Sequence, residues 1–190
     1  MSPILQSRAN ASAYGYRSFV TAAATSSFES IATVSVGAGG ASDVTFSSIP
    51  STYTHLQIRG ISNPATSGAN LSAQINSDTG TNYTYHEIGG NGSSAFAQAE
   101  TGKTAMLELD GANNSTSYGA IVMDILDYTN TNKYKTVRTL SGFDSNGGGT
   151  VRLVSHLWLN TNAITTIKLF YSGQNLRQYS HFALYGIKSA

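Results

Sequence analysis

From Phe28 onward the chain is a succession of short segments rich in β-branched and aromatic residues, separated by Gly, Pro, Asn or Asp. Residues 53–61 are a clear example, because Leu56 and Ile58 alternate with polar neighbours. A period of two places successive side chains on opposite faces of a β-strand. There are roughly ten or eleven such segments at the 8–12-residue spacing that is typical of sandwiches and barrels.

No stretch sustains the 3.6-residue periodicity of a helix, so the sequence predicts an all-β fold. We expect an antiparallel β-sandwich, jelly-roll-like, with an extended N-terminal arm. The first strand should carry a register irregularity, because Ile31 falls on the face opposite Val34 and Val36. The most apolar segment, residues 118–128, is predicted to be a central strand buried on both faces. The predicted strands are residues 28–36, 43–46, 53–61, 71–75, 83–88, 104–109, 118–128, 133–140, 151–159, 164–171 and 180–188.

Residues 1–27 differ from the rest, because they are small and polar and show no sustained periodicity. We interpret them as an anchoring arm ahead of a sandwich domain at residues 28–190. A disordered tail is the alternative. Disordered segments are usually poor in aromatic residues, and this segment holds five large apolar side chains that could dock on a partner: Ile4, Leu5, Tyr14, Tyr16 and Phe19.

Composition narrows the class of protein. Only 11% of the residues are charged and the net charge is +1, whereas about 25% are charged in typical domains. We therefore expect no nucleic-acid partner, which would require a basic stripe. No apolar run approaches the roughly 20 residues of a membrane span, and the N-terminus does not read as a signal peptide. The absence of cysteine excludes disulfides and thiolate sites, and it favours folding in a reducing cytoplasm.

Motifs for catalysis are weak, and we predict no catalytic residues, no metal site and no cofactor. Residues 102–104 read Gly-Lys-Thr, but the first glycine of a phosphate-binding loop would fall at Ala97. The histidines lack the spacing of a metal-binding pair, and we expect each to be a surface or core residue of a different strand. They are His55, His86, His156 and His181.

The few acidic residues are expected to have structural roles. Asp124 and Asp127 fall in the most apolar segment. Asp124 would need a partner there, and the next strand offers Lys133, Lys135 and Arg138. Asp78 and Gly80 are expected to form a β-turn, since the surrounding residues lack the acidic set of a calcium loop.

The aromatic residues, among them 11 Tyr, allow two interpretations. Tyrosine can stack on sugars or anchor an interface, and Tyr83, Tyr85 and Tyr118 are candidates for an exposed ligand-binding face. Alternatively most of these rings fill the core of the sandwich, which we favour. Trp158 lies in a strongly apolar segment and is predicted to be buried.

Five segments of the chain can be compared with known proteins: residues 9–16, 27–37, 49–59, 82–86 and 182–188. They resemble a family of small virion proteins of tailed bacteriophages, especially marine and cyanobacterial phages. The resemblance covers most of the chain and lies in short local segments, without a catalytic signature. It implies a β-rich, oligomeric tail fibre, other appendage or capsid decoration, and it supplies no binding residues.

The leading hypothesis is a virion structural protein without enzymatic activity, made in the host cytoplasm. It would be a tail-fibre or appendage subunit, anchored to other virion proteins by residues 1–27 and able to contact host-surface polysaccharide. The resemblance implies a homotrimer, and symmetry is common among assemblies. The alternatives are a capsid decoration (cement) protein, a free lectin-like carbohydrate-binding module and, least favoured, a glycan-degrading enzyme.

Overall fold

A computed structural model describes residues 27–66, 68–109 and 116–188. These residues form an all-β fold, which confirms the predicted fold class. They contain no helix long and apolar enough to cross a membrane. The strands are β1 (Phe28–Ser35), β2 (Asp43–Phe46), β3 (His55–Ser62), β4 (Leu71–Ile75), β5 (Tyr83–Gly90), β6 (Ala95–Lys103), β7 (Gly119–Ile125), β8 (Lys135–Asp144), β9 (Gly149–Trp158), β10 (Ile167–Tyr171) and β11 (His181–Ile187).

The strands form two unequal antiparallel sheets. The larger has eight strands in the order β1-β11-β3-β7-β8-β9-β5-β6, and the smaller has three in the order β2-β10-β4. Alternate residues of both sheets meet in one apolar core, which is the arrangement of a β-sandwich. Its fully buried members include Leu56, Ile58, Ile75, Met123, Ile125, Ile167, Leu169, Phe182 and Leu184.

The predicted irregularity in the first strand is confirmed. The register of β1 against β11 shifts between Ser30 and Ala32. The bulge returns Ala32 and Val34 to partly buried positions against the core.

Glycine is required in β3 because of its neighbour in β11. A Cβ atom at Gly60 would lie 2.3 Å from the Phe182 ring and 2.7 Å from the His181 carbonyl oxygen. The ring therefore covers the glycine, which lets Phe182 reach full burial.

Three expectations about strands are wrong. Residues 95–103, not assigned to any strand, form the edge strand β6. Residues 104–109 form no regular strand but run beside β4, where Met106 and Ala73 exchange backbone hydrogen bonds of 2.8 and 2.9 Å. The most apolar strand, β7, is buried on one face only, because its residues alternate between buried and partly or fully exposed positions.

The predicted arm lies outside the described residues except for Ser27, so the division of the chain at residue 27 stays a prediction. The same holds for its five anchors, Ile4, Leu5, Tyr14, Tyr16 and Phe19.

Candidate interaction surface

The outer face of the eight-stranded sheet is unusually apolar. In most antiparallel sheets with one face on the core, the side chains of the opposite face are polar and solvated. Here large aliphatic side chains point outward from four strands. They are Ile61 (44% exposed), Ile88 (59%), Leu140 (55%), Val151 (62%) and Leu153 (41%).

The strand register assembles these side chains into two adjacent rows across six strands. The bulky row contains Ala97, Ile88, Leu153, Leu140 and Val122, and ends at Arg59; the slim row contains Ala95, Gly90, Val151, Gly142, Ala120 and Ile61. Successive members of each row are cross-strand neighbours, whose Cβ atoms ordinarily lie about 5 Å apart. Arg59, at one end, is the only charged residue in either row. We call the two rows together the outer apolar face.

The size of the outer apolar face is that of a functional patch. Six strands about 4.8 Å apart, with two residues each on the face, give roughly 25 Å by 13 Å, or about 300–400 Å². The largest apolar patch of a typical monomer is about 300–600 Å² and is often an interaction site. Two adjoining depressions of ≈ 660 and ≈ 500 Å³ lie over its β5–β6–β9 end, and both are lined by Ile88, Ala97 and Leu153.

A polar row borders the outer apolar face towards one end of the strands. It runs through His86, Ser155, Arg138, Asp124 and Gln57. At the other end lie the β5–β6 turn and the β8–β9 hairpin, which carries Asp144. An apolar centre within a polar rim is the usual anatomy of a protein–protein interface.

The structure does not join Tyr83, Tyr85 and Tyr118 into one face. Tyr83 and Tyr85 are 0% and 2% exposed, so the interpretation in which they line an exposed face is wrong. Burial raises the pKa of both phenols to about 12. Tyr118 is half-buried, and its hydroxyl donates to the Gln178 carbonyl oxygen at 2.6 Å. The prediction that Trp158 is buried is confirmed.

A different aromatic pair lies on the outer side of the sheet, where β1 meets β11; Phe28 is 37% exposed and Tyr185 is half-buried. Phe28 and Tyr185 stack with ring centroids 4.7 Å apart. The Arg59 guanidinium lies 5.3 Å from the centroid of the first ring and 5.9 Å from that of the second. Sequence reasoning missed this pair because its members are more than 150 positions apart and are joined only by the strand register.

Each histidine lies in a different strand, as predicted, and the described residues hold no group of three or more His, Asp or Glu side chains suited to a metal ion. His86 is exposed on the outer face, whereas His156 is buried on the inner face. His156 Nε2 donates to the Leu107 carbonyl oxygen at 2.7 Å. Its Nδ1 atom is buried without a hydrogen-bond partner among the described residues. Burial therefore lowers the pKa of His156 to about 4, against the hydrogen bond to Leu107, which raises it.

His156 should make the fold sensitive to acid. In the unfolded chain it titrates near its ordinary pKa of 6.5 and in the folded chain near 4, so between these values only the unfolded state takes up the proton. The contribution to stability is complete above pH 6.5 and is lost as the pH falls towards 4. We expect the free energy of unfolding to fall by about 2 kcal/mol between pH 7.5 and 5. Urea unfolding at both pH values measures it.

His156→Gln should remove most of this pH dependence, because glutamine can still donate to Leu107 but does not titrate. His86→Gln, on the exposed face, should retain it. An unchanged slope in His156→Gln would assign the acid sensitivity to other groups.

Acidic side chains take structural positions. Asp124 accepts a hydrogen bond from Gln57 Nε2 at 2.7 Å, so the expected Lys or Arg partner is wrong, although Arg138 is its cross-strand neighbour. Asp127 lies in the turn after β7, where a close ion pair with Lys133 lowers its carboxyl pKa. The expected turn at Asp78 is confirmed by a hydrogen bond from the Gly80 backbone N–H at 2.8 Å.

One pair of carboxylates lies close together on the inner face. Glu87, which is buried, is 3.0 Å from Arg152 Nη1, and Glu108 forms a close ion pair with the same nitrogen atom. The guanidinium pairs with both carboxylates and its single positive charge compensates part of their negative charge, as expected for ion pairs that are removed from water. This arrangement can hold the 104–109 segment against β9.

No family model and no curated protein matches the chain.

Proposed function

We propose that this chain is a structural subunit of a tailed-bacteriophage particle, a tail-fibre or other appendage subunit that works by assembly. Residues 1–27 anchor it to other virion proteins, and the sandwich makes a second contact. The observation that carries the proposal is the outer apolar face, which consists of two adjacent rows of mostly apolar residues on a chain with only 11% charged residues. Such a surface favours permanent contact with another protein over exposure to water.

The resemblance to small virion proteins supports the same proposal independently of the geometry. It also favours an oligomer, for which we propose a homotrimer. A capsid decoration protein is the second candidate, because a cement role would use the same arm and the same apolar face. In either role no catalytic group is required, and the chain acts without enzymatic activity.

We further propose that the appendage subunit contacts host-surface polysaccharide. The stacked rings of Phe28 and Tyr185 favour it, because sugars commonly bind against aromatic rings.

Labelling of intact particles tests the proposed function. Antibodies raised against the purified full chain and coupled to gold are expected to label tail fibres or another appendage of particles from the source phage. Label over the capsid lattice would identify a decoration protein instead. Protein that remains free in the lysate, with unlabelled particles, would contradict a virion role and favour a free lectin-like module.

A further inference from the structure

We propose that the outer apolar face binds the same face of a second copy of this chain, around a two-fold axis that runs across the strands between the bulky and slim rows. The proposal rests on the assembly role proposed above and names one partner for it. Three features of the face argue for a second copy: complementary rows, complementary charges at the rim and sufficient area.

The two rows are complementary in shape. A two-fold axis in the plane of contact and perpendicular to the strands places the bulky row of one copy over the slim row of the other. Ile88 then lies over Gly90 of the second copy, and Leu140 over Gly142. Leu153 lies over Val151, at the centre. At β5 and β8 a large side chain thus faces a glycine, which is how sheet faces interdigitate in a packed core.

Gly90 is informative because its own chain does not require a glycine there. Its φ is not in the left-handed region. A Cβ atom at this position would meet only the Ser94 carbonyl oxygen, at 3.6 Å. Glycine weakens a strand, and its presence often marks a place where another molecule approaches closely. The open space above Gly90 is where the proposed contact places Ile88 of the second copy.

The same axis pairs opposite charges at the rim. On the outer side of β8 the residues run Arg138, Leu140, Gly142, Asp144, so an axis between Leu140 and Gly142 brings Arg138 opposite Asp144 of the second copy. Both side chains are exposed. Arg138 has no ion-pair partner within the described part of its own chain. The pair occurs twice in a symmetric dimer.

The available area is that of a stable interface. With the polar row and the hairpin rim added to the two apolar rows, the contact measures roughly 25 Å by 25 Å, or about 600–800 Å² from each copy. A standard interface takes about 800 Å² from each partner.

Sedimentation equilibrium of the purified full chain tests the proposal. We expect even-numbered oligomers at tens of micromolar, because each copy pairs face to face with one other copy. These are a dimer of twice the 20.0 kDa chain mass, or a hexamer where the proposed homotrimer also forms. Leu153→Asp, at the centre of the contact, should weaken dimerisation at least about 100-fold, because a carboxylate would be desolvated without a partner. Gly90→Val should weaken it by filling the space for Ile88. Tyr134→Asp, which is equally exposed but lies before β8 and far from the axis, should leave it unchanged.

Charge reversal tests the geometry specifically. Arg138→Asp and Asp144→Arg should each weaken the dimer about tenfold or more, since like charges then meet twice. The double variant should restore affinity to within a few-fold. Circular dichroism verifies that every variant is folded. A monomer or an isolated trimer at about 100 µM would overturn the proposal. So would pairing that is insensitive to Leu153→Asp, or a double variant that is not restored. If the chain is monomeric but the antibodies still label particles, the proposed dimer contact is refuted and the virion role is not.

Discussion

Replacing Lys135 by methionine is expected to lower the free energy of unfolding by about 3–5 kcal/mol. Lys135 is 0% exposed, and its ammonium group donates to the carbonyl oxygens of Asn130 (2.5 Å), Lys133 (3.1 Å) and Thr161 (2.9 Å). It thereby ties the β7–β8 turn to the loop between β9 and β10. Burial lowers the pKa of this lysine, and the nearby positive charge of Lys133 adds to the effect.

Methionine fills a similar volume but donates no hydrogen bond, so three carbonyl oxygens lose their partner. The matched control is Lys133→Met, two residues earlier, because Lys133 is largely exposed and its ion pair with Asp127 lies at the surface. Exposed pairs contribute about 0–1 kcal/mol. Urea denaturation compares the two variants, and a loss in Lys135→Met no greater than that of the control would show that the three bonds add little.

The second large effect is expected at Asp78, which joins the β4–β5 turn to the core. Its carboxylate accepts hydrogen bonds from the Trp158 indole N–H at 2.7 Å and from the Asn82 side chain at 2.9 Å. Burial raises the carboxyl pKa, but the hydrogen bonds from Trp158, Asn82 and the Gly80 backbone outweigh it, and the net pKa is lowered. The stabilisation is therefore present above the ordinary pKa of 3.8 and is lost as the pH falls through the lower folded value.

Asp78→Ala should lower the free energy of unfolding by about 2–4 kcal/mol, because it leaves a buried indole N–H unpaired and removes the turn's cap. Trp158 is the chain's one tryptophan, so its fluorescence follows both the unfolding and any change at this site. Asp43→Ala is the control, since Asp43 accepts its side-chain hydrogen bonds from exposed neighbours, Ser42 and Thr45. Equal losses of unfolding free energy in the two variants would mean that the hydrogen bond to Trp158 adds no more stability than the exposed hydrogen bonds of Asp43.

Local pattern was sufficient for most of the fold. The bounds of β2 and β4 follow from short apolar runs between turn residues. The bulge in β1 follows from the position of Ile31, which regular alternation would place on the face opposite Val34 and Val36. Strand β6 was missed because it is an edge strand whose residues, such as Ala95, Gln98 and Thr101, are exposed on either side. An edge strand buries little on either face, so it has no alternation to detect.

The candidate surface could not be predicted, since it depends on register between distant strands. Ile88, Leu140 and Leu153 belong to three strands and become neighbours only when β5, β9 and β8 pair. The sequence also left open which of the two alternating sets of residues in β5 faces the core. Tyr83, Tyr85 and Glu87 share the buried face of β5, where Glu87 pairs with Arg152, and Ile88 therefore lies on the opposite, outer face.

The position of Lys135 in the sequence indicates a buried lysine, but it does not identify the groups that accept its hydrogen bonds. Lys135 shares the inner parity of Val137 in β8, and a lysine on an inward face requires buried acceptors. We considered it as a partner of Asp124, but its acceptors are backbone carbonyl oxygens, which carry no signal in the sequence.

The most direct test of the assembly role is a cryo-EM map of the intact particle at a resolution that separates strands. We predict density for the sandwich on a tail appendage, with the outer apolar face covered by another protein chain. A map of particles that contain the protein but leave this face open to solvent would contradict the account, as would particles with no density into which the sandwich fits.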